Sequence, residues 1–347
     1  MKNAAQHFWI LTVAASLVAT GSADRITKQG GRIVAPARSK ASAQNPVVTA
    51  LRIHPNGKWM VSAGDDHAVR IWDIKTGKQL NRLEGHRDWV DTAAFSPDGN
   101  LLVTAGNDHR MIIWNLSTGQ RTSMRPVGAR AISALAFNHQ GNRVAIVGFD
   151  RSIGIYDVVN RRLVQELKAP CQDMRCVTFS NDDRHLVGGG RNGRIGVYDV
   201  ASGERLGVFK AHQQRIRAII FDDDDRQIIT AGEDRFIRVW DFETLQLISE
   251  ISTGKSKTMS MVSLGGDRIA AGGSDNRVAV WNLVSGKRDR SFVGHTGSVV
   301  ALDHKDGVLV SGSFDTTVRV WSVAATRDGD PTKEKEIVTR DVRHTRK

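Results

Sequence analysis

Residues 85–115 read GHRDWVDTAAFSPDGNLLVTAGNDHRMIIWN. The stretch opens with Gly85-His86, closes with Trp114-Asn115, and holds three apolar runs: Val90–Phe95, Leu101–Ala105 and Met111–Trp114. Ser96-Pro97-Asp98-Gly99 separates the first two runs, and Gly106-Asn107-Asp108 begins the second break. Short β-rich runs with Pro, Asp and Gly punctuation read as antiparallel strands joined by tight turns. Pairing of the strands places Asp108 in the turn between the second and third. There it can accept a hydrogen bond from His86, which in turn reaches Thr104, with the Trp114 indole N–H completing the set. Buried polar groups are costly to leave unpaired, so such a network fixes one loop and two strands relative to each other.

The same stretch recurs through the chain. Trp72, Trp114, Tyr156, Tyr198, Trp240, Trp281 and Trp321 stand 42, 42, 42, 42, 41 and 40 residues apart. Six residues before each lies Asp66, Asp108, Asp150, Asn192, Asp234, Asp275 or Asp315. A period of this size marks a repeat architecture. With IWD at 71–73, VWD at 239–241, YDV at 156–158 and 198–200, and GH at 85–86 and 294–295, the units resemble WD40 repeats. The resemblance spans about residues 45–323 and implies an all-β, seven-bladed WD40-type propeller of four-stranded antiparallel blades, its edges protected by ring closure.

The signature is uneven between repeats. Three carry the full set: His86, Thr104, Asp108 and Trp114; His212, Thr230, Asp234 and Trp240; His295, Ser311, Asp315 and Trp321. The first has Ser62, Asp66 and Trp72 with no His in the expected place. The third has Gly128 for His and Ile146 for the hydroxyl. The fourth has Pro170, Gly188, Asn192 and Tyr198, and the sixth has Ala271 beside Asp275 and Trp281. Blades three, four and six are therefore expected to be less rigid, each lacking a bond of ~1 kcal/mol net. One Asp and one His per blade at a fixed position read as scaffold rather than as catalytic pairs.

The flanks differ in character. Residues 1–23 carry Lys2, the apolar run Phe8–Ala19 and the small residues Gly21-Ser22-Ala23, the pattern of an export signal cleaved before Asp24. The apolar run falls short of the ~20 residues of a membrane span. The expectation is a periplasmic or secreted protein, with an N-terminal anchor as the alternative. Residues 24–44 are basic and rich in small residues, with Ile33-Val34 as a candidate strand, and residues 324–347 form a polar, basic tail. An unpaired sheet edge is a liability. Residues near 32–36 are favoured to complete the last blade, with Ile337-Val338 as the rival.

Two cysteines, Cys171 and Cys176, enter blade four, and a buried free thiol at Cys176 competes with a short-loop disulfide between them. Their spacing matches no common zinc pattern. The run Asp222–Asp225 lacks the alternation and glycine of a calcium loop and reads as a solvated turn. No nucleophile elbow, P-loop or zinc-protease motif occurs, so no metal, no cofactor and no catalytic residue is assigned.

What remains is a surface. In proteins of the WD40 type, partners dock most often on the face carrying the loops into the inner strands and the turns before the structural Asp. Carried over, those positions are Trp89, Asp91 and Asn107 in blade two, Phe149 in blade three, and Asp173, Arg175 and Arg191 in blade four. Blade five adds Arg215, Arg217 and Glu233, and blade seven adds Phe314. Aromatic and arginine side chains anchor interfaces, and guanidinium groups favour carboxylates. With a net charge of +12, the expectation is a monomeric, non-catalytic platform for a protein partner with an acidic segment, with Asp173 and Glu233 partly neutralising the arginines. Exchanging Arg215 and Arg217 for Glu is expected to spare the fold. A ligand or enzymatic site at the central channel and a nucleic-acid binder are the alternatives; without interleaved aromatics the arginines do not support the latter.

Overall fold

The computed structural model describes residues 32–34, 45–126, 130–323 and 340–343, and holds seven sheets and no helix among them. The leader at 1–23, Gly128 and Ile337-Val338 lie outside the described residues. Each repeat folds as one antiparallel sheet with its strands in chain order. The first strands of the blades are Val48–Ile53, Val90–Phe95, Ile132–Phe137, Met174–Phe179, Ile216–Phe221, Thr258–Gly265 and Val299–Lys305. Each touches the first strand of the next blade, and the last returns to the first. The ring is thus a closed seven-bladed propeller with these strands around its axis. At the closing junction the Asp303 carboxylate accepts the Ile53 N–H at 2.6 Å.

The core sits between blades rather than within them. Seven apolar clusters each join two neighbours, for example Val61, Ala63 and Val69 of blade one with Leu102, Ile112 and Trp114 of blade two. Each sheet is therefore covered on both faces, which explains why its second and third strands read as continuous apolar runs instead of alternating. The repeated Trp or Tyr always packs into the preceding blade: Trp72 meets Val310 and Val318 of blade seven, and Tyr198 meets Ile153 and Leu167 of blade three.

Turns between first and second strands need a residue in the left-handed region. Gly57, Gly99 and Gly141 supply it with φ of 70°, 76° and 74°, while Asp183 and Asp225 occupy the same place at 62° and 58°. Aspartate tolerates this conformation better than most side chains, and here the side chain is used. Asp183 accepts the His139 and Gln140 N–H groups at 2.7 and 2.9 Å, and Asp225 accepts those of Asn181 and Asp182 at 2.8 and 3.0 Å. Each carboxylate thereby ties its blade to the one before.

Both chain ends join blade seven, in the strand order Arg32–Val34, Arg340–Arg343, Thr317–Ser322, Val308–Ser313, Val299–Lys305. Arg340–Arg343 runs antiparallel to Thr317–Ser322, and Arg32–Val34 adds outside it in parallel. This corrects the expectation that the N-terminal segment completes the last blade. The C-terminal strand is the fourth, and the N-terminal one covers the edge it leaves, so the ring is closed through the end that directly follows the last repeat.

Candidate functional site

Polar networks hold each blade's turns in place. In blade five the Trp240 Nε1–H donates to Thr230 Oγ1 at 2.9 Å, Thr230 lies 2.8 Å from His212 Nε2, and His212 Nδ1 lies 2.8 Å from Asp234. Blade two repeats this through Trp114, Thr104, His86 and Asp108, and blade seven through Trp321, Ser311, His295 and Asp315. One assignment serves the chain common to the three blades: indole to hydroxyl, hydroxyl to imidazole Nε2, imidazole Nδ1–H to carboxylate; Arg238 Nη1, 2.8 Å from His212 Nδ1, then donates to Asp234. Burial resists ionisation of Asp234 and Asp315, yet the bonds from His212 and His295 hold both carboxyls well below the usual range.

Blade one solves the missing His differently. Arg70, only 1% exposed, donates to both carboxylate oxygens of Asp66 at 3.1 and 2.5 Å, and Trp72 donates to Ser62 at 2.6 Å. The signal was in the sequence: Arg follows the structural Asp by four residues at Arg70, Arg238 and Arg319, and Arg238 also reaches Asp234 at 2.8 Å. In blade four the Tyr198 hydroxyl turns to the Lys168 carbonyl at 2.7 Å, and Asn192 Oδ1 accepts the Arg194 N–H at 2.9 Å. In blade six a recess lined by Thr258, Ala271, Asp275, Ala279 and Trp281 lies where His and hydroxyl stand elsewhere.

Cys171 and Cys176 are free thiols. The buried Cys176 Sγ–H points at the Gly189 carbonyl at 3.4 Å, and Cys171 Sγ lies 3.7 Å from Met174 Sδ; each sulfur is engaged away from the other. Asp222–Asp225 is a turn that caps backbone: Asp222 accepts the Arg226 and Gln227 N–H groups, and Asp223 that of Gly266 in blade six. No cluster of three metal-binding side chains occurs among the described residues.

The surface residues share one end of the ring. Backbone bonds run from Asn107 N to Trp89 O, Phe149 N to Ala131 O, Arg191 N to Asp173 O, Glu233 N to Arg215 O and Phe314 N to Ser298 O, at 2.9 to 3.1 Å. Equivalent residues of five blades are thus side by side in equivalent turns. In blades two to five glycine precedes the bonded amide, and a Cβ on Gly106 would lie 1.9 Å from the Trp89 carbonyl oxygen; in blade seven Ser313 holds that place. Trp89, Phe149 and Phe314 are 42%, 36% and 46% exposed, and Arg191 is exposed.

Three of the four arginines form one network across blades four and five. Arg175 Nε meets Asp173 Oδ1 at 2.5 Å, an ion pair outside hydrogen-bond geometry. Arg215 bridges Asp173 and Glu233 at 3.3 and 3.2 Å, and Arg217 Nε donates to Glu233 at 2.8 Å. Lys257 of blade six, overlooked in the sequence although it matches Trp89 and Arg215 in position, adds a contact to Glu233 at 3.8 Å. Burial opposes ionisation of Glu233, but Arg217 and Arg215 hold its carboxyl below the ordinary range. The Arg175 guanidinium stacks over Phe149, 4.6 Å from the ring centre. Arg191 stands apart, with no ion pair among the described residues.

Comparison with known proteins agrees with this architecture. A family model described as "WD domain, G-beta repeat" matches residues 38–73, 77–115, 161–199, 203–241 and 286–322. Similar proteins include the ribosome biogenesis protein YTM1 of Eremothecium gossypii, 36% identical over 88 residues, which make up 25% of this chain and 19% of that protein. Mitochondrial division protein 1 of Pyricularia oryzae is 46% identical over 50 residues, 14% of this chain and 8% of its own. WD repeat and HMG-box DNA-binding protein 1 of Mus musculus is 43% identical over 61 residues, 17% and 6% of the two chains. The matched stretches therefore span a fifth or less of each relative. The chain belongs to the WD40 repeat family.

Proposed function

We propose that the propeller is a non-catalytic, monomeric platform for a protein partner that presents an acidic segment. The observation carrying this reading is the shared end of the ring where Trp89, Phe149 and Phe314 stand exposed around the arginines of blades four and five. Large aromatic surfaces supply anchor area, and guanidinium groups supply bidentate partners for carboxylates. Asp173 and Glu233 neutralise only part of the charge, since Arg175, Arg215, Arg217 and Lys257 gather around these two carboxylates. Export through residues 1–23 belongs to the same reading and rests on the pattern of that leader.

The test is partner capture with a Trp89→Ala, Arg191→Glu double variant, both sites being exposed and outside the ion-pair network. Capture should drop sharply at an unchanged melting temperature, and wild-type capture should weaken as salt rises. Capture equal to wild type would move the partner site to the opposite rim or the chain ends.

A further inference from the structure

Every innermost strand carries the same irregularity. Its register against the second strand slips between Val48 and Ala50, Val90 and Thr92, Ile132 and Ala134, Met174 and Cys176, Ile216 and Ala218, Thr258 and Ser260, and Val299 and Ala301. A bulge leaves one residue unpaired and re-aims its side chain. The bulged residues are Thr49, Asp91, Ser133, Arg175, Arg217, Met259 and Val300, and they form a ring around the propeller axis at the end that carries the arginines. Thr49 and Ser133 donate their hydroxyls to the Val90 and Met174 carbonyls of the next blade. The charged members are left as Asp91, Arg175 and Arg217.

We propose that this bulge ring is the seat for one carboxylate of the partner's acidic segment, gripped by Arg175 and Arg217, with Asp91 as its internal competitor. The inference rests on the acidic-segment reading above and adds to it a place and a means of control. Arg175 is the shared group: it pairs with Asp173 at 2.5 Å and is the cation that acts on Asp91. An ionised Asp91 takes up the cationic surplus of the mouth and repels an incoming carboxylate. A protonated Asp91 releases that surplus.

The surroundings of Asp91 favour such a change. Burial pushes its carboxyl up to about 7, with Arg175 opposing and the neighbouring Asp88 adding to the rise. The flanking inner strands offer only the uncharged Thr49 and Ser133 at the same level. Arg52, farther along blade one, turns to the Leu51 and Leu302 carbonyls, and the second strand of blade two, Leu101–Gly106, carries no charge.

The experiment uses the full chain and a fluorescein-labelled hexaglutamate peptide, read by anisotropy at low salt at about pH 6 and about pH 8. The wild type should bind roughly tenfold more tightly at the lower pH, as the protonated fraction of a group titrating near 7 changes about tenfold over that interval. Asp91→Asn should bind tightly at both, its ratio falling to about one. Arg175→Gln should weaken binding at the lower pH. A pH ratio in Asp91→Asn equal to that of wild type would overturn the inference and leave the acidic-segment reading standing, as would pH-independent binding by wild type. No binding of the peptide to wild type at either pH would overturn both.

Discussion

The Glu233 carboxylate accepts the Nε–H of Arg217 at 2.8 Å and, through the same oxygen, holds Arg215 at 3.2 Å. One acid thus restrains two cations from one blade, and Lys257 approaches its other oxygen. Removal of the acid should release mutual repulsion among partly buried guanidinium groups. Glu233→Ala is expected to cost about 1–3 kcal/mol, since the site keeps some solvent screening, read as a lower denaturant midpoint. Arg215→Glu with Arg217→Glu places three carboxylates together beside Asp173, so that pair should destabilise the fold as well. This corrects the sequence-based expectation that the double exchange is neutral, and it is why exposed Trp89 and Arg191 are the better probes.

Asp234 receives bonds from His212, the Gln213 N–H and Arg238, whereas among the described residues the side chain of Asn192 receives only the Arg194 N–H. Asp234→Ala should cost ~1–3 kcal/mol by leaving buried donors unpaired, and Asn192→Ala clearly less. Equal thermal shifts at the two sites would contradict this account of the networks.

Ala271 pairs with Ala279 just as Thr230 pairs with Arg238 and Ser311 with Arg319, and Trp281 follows it by the same interval as Trp240 follows Thr230. A hydroxyl at that position falls where its equivalents accept an indole N–H. Ala271→Ser should therefore stabilise blade six by ~1 kcal/mol, measured by hydrogen exchange of strand Arg277–Asn282.

Acid should act on the scaffold and on Asp91 with opposite sign. The carboxyls of Asp234 and Asp315 are held below their unfolded value, so their stabilisation is present at neutral pH and is lost as pH falls below about 4. Asp91 is raised, so its contribution favours the fold at low pH and is lost as pH climbs towards about 7. Asp91→Asn should raise the melting temperature at about pH 8 and leave it unchanged at about pH 4. Parallel gains at both would detach the effect from ionisation.

If the leader directs export, protein recovered from its native cell should begin at or near Asp24. Intact Met1 in a soluble cytosolic fraction would remove the basis for an exported partner.

The ring is written into seven local repeats. A period near 42 residues, with Trp or Tyr six residues after Asp or Asn, is a local pattern repeated seven times, and local patterns set strand, turn and blade. The same periodicity placed His86, Thr104, Asp108 and Trp114 in one network, because all four belong to one repeat. Relations between repeats arise only once the ring closes. Asp183 and Asp225 look like turn residues until the preceding blade brings its N–H groups to them. The bulges put Asp91, Arg175 and Arg217 at matching places on inner strands that only ring closure gathers round one axis. The edge of blade seven is filled by Arg340–Arg343 with Arg32–Val34 outside it, an order that composition does not encode, since either end offered a short β-rich segment. Interactions within a repeat are specified by spacing, whereas those across the ring depend on which side chains closure brings opposite each other.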